Sequence, residues 1–472
     1  MSSFYIILYL LLWVLTLIVY HQQGRERDAG WLIIVSYIGY AVFSLVLYQK
    51  ADGEYYDFLP MRIGPFVYLY CMLLLALWPM IRFHKSNVTE IQPPRMWILH
   101  ALSAVIILSA LLCIPLLIKH LQDGSISRLM QDSSAGAELY SEALAESDES
   151  GSGISNIPSI LLNALSDLAL LLFFYYLSLR KRHPLLIAGL SVAIGVVLLT
   201  PILSGQRSNT VTTLLTLFGA YFLMRRYLGE RLRRWVNILV VTMVVVISLP
   251  LAAITLSRFD QRQGGAIGSV VYYIGQANLN FNNYGLDAGG MRHGDRTMNL
   301  VKRVIDPYNT PRNFQERRDK YPDLKMDDNI FYTFVGDFTL DFGPWKAVLI
   351  FLVFNILVVL ATRPKPVGYR SSVIGCRIIE PKIKTPEPGC EKQISFPQLL
   401  LLYMVTCIAM QGGFWLYGYS DTAGLRLIAL LLLYFFIRFF GQPHPLSPSA
   451  LPSGNDVEID GAGKDNDATD ED

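Results

Sequence analysis

Charge is scarce in this chain. Of 472 residues, 17% are Asp, Glu, Lys or Arg and 52% are hydrophobic, with mean hydropathy +0.37. A length prior suggests about three soluble domains, but this composition could not cover them with polar surface. A secreted enzyme, a cytosolic dinucleotide-binding protein and a disordered scaffold are excluded. Cysteine is also rare. Three of the five, Cys71, Cys113 and Cys407, lie in apolar runs, while Cys376 and Cys390 share a basic stretch without histidine. That is neither a disulfide framework nor a zinc pattern. Repeats, heptads and the sequences G-x-x-x-x-G-K-[ST], H-E-x-x-H and G-x-S-x-G are absent, which argues against ATP-driven transport by this chain alone. Forty Lys and Arg against 38 Asp and Glu leave no polybasic excess, so no nucleic-acid partner is expected.

What is present is a series of apolar runs, each long enough to cross a hydrocarbon core of about 30 Å as a helix. They fall near 4–20, 31–49, 63–82, 97–118, 157–179, 185–203, 209–225, 236–257, 346–362, 397–416 and 424–440. The expected fold is an all-α polytopic integral membrane protein of about eleven transmembrane helices (ten to twelve), with the bilayer as its main partner. The first run has no basic n-region or A-x-A-like cleavage site and reads as a retained helix. Four units follow: a bundle of about eight spans over 1–257, a long loop over 258–345, further spans over 346–441 interrupted by a basic loop at 363–396, and a Pro-rich, acidic tail over 442–472. The tail lacks apolar periodicity and reads as a disordered extension.

Alternate connections differ in basic charge. One set, including Arg25, Arg27, the 180–182 and 225–234 clusters and the 363–396 loop, holds twenty Lys and Arg; the short connections of the other set hold five. The positive-inside rule places the first set and the tail in the cytoplasm and leaves 258–345 outside, where long loops escape the count. The expected location is a bacterial inner membrane, with the active site facing the periplasm.

Three external segments converge on one side. In the turn S-G-Q-R-S-N (204–209), Arg207 is held close to membrane depth, where a guanidinium needs an anionic partner. The alternative is an arginine snorkelling to the interface. The long loop carries Arg258, Asp260, Arg262, Tyr273, Asn278, Arg292 and His293, types suited to phosphate and sugar but also ordinary in loops. Short helices on the membrane surface are expected there, around 270–278. The third segment, G-D-F-T-L-D-F-G-P-W (336–345), sets Asp337 and Asp341 on one helical face, placed to share a cation, pair with external arginines, supply a base or cap a helix.

An arginine in a short outer turn, a long arginine-bearing loop and a following aromatic-acidic segment, in that order, resemble the bacterial O-antigen or oligosaccharide repeat-unit polymerases over most of 1–441. The resemblance implies a glycosyltransferase-C-like membrane bundle with one long periplasmic loop. It also implies transfer of a growing chain from its undecaprenyl-pyrophosphate carrier onto a new lipid-linked unit, releasing undecaprenyl pyrophosphate. Arg207, and with it Arg258 and Arg262, would hold the pyrophosphate without a metal or other cofactor. Arg292, Tyr273, Asn278, Asp337 and Asp341 would join the substrate-binding set, and His293, Asp260 and His120 are the candidate bases. A chain-length regulator in the membrane is a further expected partner. Asp52 and Glu54 hold the position where several such enzymes bind a metal; none is expected here. Two rivals remain: a ligase moving finished polymer to lipid A core, and a lipid-linked oligosaccharide flippase, which calls for charges inside spans and no long loop.

Overall fold

The computed structural model describes residues 1–23, 27–50, 58–86, 88–122, 156–181, 183–204, 207–259, 265–312, 314–326, 332–366, 392–416 and 421–441. The helices are α1 Ser2–Gln23, α2 Ala29–Lys50, α3 Ile63–Lys85, α4 Met96–Gln122, α5 Ile157–Ser178, α6 Pro184–Leu203, α7 Arg207–Met224, α8 Glu230–Phe259, α9 Gly265–Tyr284, α10 Asn299–Ile305, α11 Phe314–Lys320, α12 Phe334–Phe342, α13 Pro344–Ala361, α14 Phe396–Gly412 and α15 Asp421–Phe440. Every apolar run is a helix. Among the described residues eight of them, α1 to α6, α13 and α15, are long and apolar enough to cross a membrane. Of the other three, α7 is more polar, α8 joins a charged first turn and a half to an uncharged apolar run over 236–257, and α14 is a shorter apolar helix. The protein is therefore a multi-pass, all-α membrane protein.

Helix α14 is the axis of the bundle. Almost all of its side chains are buried, from Phe396 to Gly412. Its start is fixed by a capping box, in which Ser395 and Gln398 satisfy orphan backbone groups, and by Pro397 in the first turn. Around it pack α2, α3, α7 and α15, with Tyr37 donating to the carbonyl of Ala409 at 2.6 Å and Trp13 wedged between Tyr37 and Tyr70. Such aromatic contacts fill the core where lipid and helix are equally apolar and packing must hold the helices together.

The helix connections sort into two ends, as alternate crossing requires. At the end with the basic connections, β1 (Val88–Gln92) pairs in parallel with β3 (Lys392–Ser395), which pairs antiparallel with β2 (Lys365–Pro366). There too Arg225 donates to the carbonyl of Arg27, Tyr227 to that of Val88, and the Arg95 amide to that of Gly441. At the other end Ser2, 59–62, 282–283 and the start of α13 meet through hydrogen bonds.

One expectation needs correction. The segment expected to carry a short surface helix near 270–278 is a twenty-residue helix, α9, laid against α2. Its close approach is possible because Gly275 has no side chain: a Cβ there would stand 2.5 Å from the carbonyl oxygen of Phe43. Two charged side chains inside the spans are buried. Asp167 in α5 and Arg426 in α15 are 1% and 5% exposed, and Arg426 donates to the carbonyl of Asn163 at 3.1 Å. Burial inside the bundle, beside backbone acceptors, is what makes such groups tolerable at membrane depth.

Candidate functional site

The segment after α9 folds back onto α12 through a buried ionic network. Arg292 and Arg296 are four residues apart, as are Asp337 and Asp341, so each pair projects from one side of its segment toward the other. Arg292 reaches Asp341 through Nε at 2.9 Å and Asp337 through Nη2 at 3.3 Å, while Arg296 Nε stands 2.8 Å from Asp337. Thr297 donates to Asp341 from its amide at 2.7 Å and its hydroxyl at 2.6 Å. The Arg292 amide also donates to the carbonyl of Leu340 at 2.9 Å. Arg292, Asp337 and Asp341 are almost completely buried.

A third carboxylate extends the network. Asp295, fully buried, receives Lys302, Lys320 at 2.7 Å and the Tyr321 hydroxyl at 2.7 Å. Four cationic side chains thus surround three carboxylates. The turn that brings Arg292 and Asp295 into one knot has left-handed backbone at His293 (φ 53°) and Gly294 (φ 86°), the second of which only glycine adopts without strain.

The two kinds of carboxylate respond oppositely to this environment. Burial pushes Asp337 above the ordinary carboxylate range, with Asp341 adding to the rise and Arg296 and Arg292 opposing it. For Asp295 burial also works upward, but hydrogen bonds from Lys302, Lys320 and Tyr321 outweigh it and hold the carboxyl below that range. The Tyr321 hydroxyl is raised by burial and by Asp295. A carboxylate held this way is saturated with donors, so the network does the work of a clamp between loop and bundle.

The other sequence-derived residues scatter around it. Asn278 is buried and donates to Ser44 Oγ at 3.1 Å, joining α9 to α2. Tyr273 packs with Ala277, Phe414 and Trp415. His293 is exposed, one residue from Arg292, and its carbonyl accepts from Lys302 at 3.2 Å. Arg207 is the first residue of α7, Arg258 lies in the last turn of α8 and His120 in the last turn of α4. Tyr227, just past the other end of α7, meets Val88 beside the basic connections, so Arg207 stands at the opposite end, with the ionic network. Asp260 and Arg262, like Asp52 and Glu54, lie outside the described residues. Among the described residues no group of three or more His, Cys, Asp and Glu is placed to hold a metal ion.

Asp295, Arg296, Lys302, Lys320 and Tyr321 were not singled out from sequence. The R-x-x-x-R spacing of 292 and 296, matching the D-x-x-x-D of 337 and 341, is the signal that would have found Arg296. Beneath the network lies an apolar cavity of about 190 Å³ between α3, α12, α13, α14 and α15, with Thr297 in its lining. No family model, curated protein or solved structure matches the chain.

Proposed function

We propose that the protein is a membrane glycosyltransferase that joins polyprenyl-pyrophosphate-linked oligosaccharide repeat units at the outer face of a bacterial inner membrane. The observation that supports it most is a conjunction at one end of the bundle: an arginine-opened helix, α7, at the same end as a folded, arginine-bearing segment clamped over an apolar cavity. An amphiphilic substrate with an anionic centre needs those three surroundings together.

In the proposed reaction the acceptor sugar hydroxyl of one lipid-linked unit attacks the anomeric carbon of the chain carried by another. The carbon–oxygen bond to pyrophosphate breaks, polyprenyl pyrophosphate leaves, and the hydroxyl proton passes to a base. Arg207, with Arg258 and Arg262, offsets the charge that develops on the leaving oxygen; such preorganised cations act most strongly where water is excluded. Arg292, Asp337 and Asp341 serve by holding the outer segment in register rather than by touching the pyrophosphate, since each is buried in mutual pairing. His293 is the exposed candidate base nearest this network.

The buried Asp167 and Arg426 favour a second reading, a translocating bundle, because charges inside spans line transport paths. Acceptor and product separate the readings. Membrane vesicles supplied with lipid-linked repeat units should form a ladder of lengthened, lipid-linked chains. Capping of lipid A core without a ladder would assign the ligase, and movement of the unit across the membrane with no new glycosidic bond would assign the flippase.

A further inference from the structure

The cavity under the ionic network is walled by Phe334 and Phe338 of α12 and by Phe351 and Phe354 of α13, with aliphatic side chains of α14 and α15 opposite. It runs from Thr297, whose hydroxyl is held by Asp341, down to Asn355. At about 1.5 Å per residue Asn355 lies about 16 Å along α13 from Pro344, near the depth of the bilayer midplane. Phe354, on the flank of α13, is 37% exposed, so the cavity wall is also part of the surface turned to lipid.

Asn355 distinguishes this cavity from a packing fault. Its residue is 2% exposed, and its Nδ2 donates to the carbonyl of Phe351 at 2.7 Å. Its Oδ1 is buried and finds no donor among the described residues. An unsatisfied buried acceptor costs about 1–3 kcal/mol, so its place in an apolar wall points to an occupant that completes the site. The occupant must be mostly hydrocarbon and must enter from the bilayer, and at this depth it meets the amide oxygen with no more than a weak C–H donor.

Resting on the polymerase reading above, we infer that the cavity receives a segment of the isoprenoid chain of the lipid-linked substrate. Apolar cavities of about 150 Å³ take up a six-carbon ring, so this one has room for about one or two five-carbon isoprene units with their methyl branches. The four phenylalanine rings suit the flat, unsaturated units. The vinylic C–H of each unit is a weak donor to an amide oxygen, which a saturated chain lacks. The network places this lipid seat directly under Thr297 and Asp341, so the chain is held at the same end as Arg207.

The test uses the full-length protein in nanodiscs and a polyprenyl phosphate bearing a diazirine within its first few isoprene units and no sugar. Photolysis should label peptides containing Phe351 to Asn355 and Ile408, and unlabelled polyprenyl phosphate should compete at concentrations about tenfold lower than phospholipid of equal chain content. Ile350→Trp, which fills the cavity from its rim, should abolish that labelling, and Asn355→Leu should keep labelling but erase the preference for isoprenoid. Labelling spread over lipid-facing helices such as α1, or equal competition by phospholipid, overturns the inference. Because the probe carries no sugar, labelling at this seat in a protein that forms no polymer would remove the polymerase reading alone. Polymer formation without labelling here would remove the cavity assignment alone.

Discussion

At the residue scale the decisive question is which charges are free to act. Arg207 opens α7 at the end where the ionic network sits, whereas Arg292 is enclosed by Asp337 and Asp341. The two arginines should therefore fail in different ways. Arg207→Ala should lower the polymerisation rate roughly 30- to 1,000-fold, about 2–4 kcal/mol of transition-state stabilisation, with normal membrane abundance. Arg207→Lys keeps the charge but loses the bidentate fork and should fall between. Asp341→Ala should instead leave the buried Arg292 with Asp337 as its remaining carboxylate and strip Thr297 of its acceptor, costing about 1–3 kcal/mol of stability, read as a lowered denaturation midpoint. The pH dependence follows from Asp295. Its folded carboxyl is held below the ordinary range, so its contribution is present above that range and is lost as pH falls below it and through the lowered folded value. Hydrogen-exchange protection across 292–303, taken relative to the intrinsic exchange rate at each pH, should therefore be high at neutral pH and fall in acid, and Asp295→Asn should flatten the profile. An unchanged profile in that variant would remove Asp295 from the account.

At the scale of elements the apolar helices were legible and α9 was not. Hydropathy marks α1 to α6 because bilayer and bundle both demand apolar side chains. The run G-Q-A-N-L-N-F-N-N is rich in amides and only its start falls in the short helix expected near 270–278, yet Gln276, Asn278, Asn280 and Asn282 are buried. Their amides find partners that sequence order conceals: Asn282 exchanges hydrogen bonds with the backbone of Arg62, and Asn283 with that of Leu59. The same blindness hid the pairing of Arg292 with Asp341, whose spacing along the chain says nothing of their meeting. Asp337 and Asp341 were legible as a face that could pair with arginines, but not which arginines. Gly275 tests the placement of α9. Gly275→Ala should force α9 from α2 at a cost of about 1–3 kcal/mol, and should speed proteolysis or exchange in 265–284 before the rest of the bundle opens. Equal stability would mean that α9 has room the structure does not give it.

At the scale of the whole molecule the account rests on sidedness. The basic connections of Arg27, Val88, Tyr227, Lys392 and Gly441 gather at one end and the ionic network at the other, so one cysteine reports on both. Ser208→Cys should react with a membrane-impermeant thiol reagent in intact spheroplasts. Reaction only after lysis would invert the protein and bring the proposed chemistry into the cytoplasm. The central claim is tested most directly by product stoichiometry. Purified protein in nanodiscs, given a lipid-linked repeat unit in excess EDTA, should release one polyprenyl pyrophosphate for each glycosidic bond formed, because arginines rather than a metal are proposed to hold the leaving group. Intact lipid-linked units with no released pyrophosphate, in a preparation that retains its native fold, would contradict it.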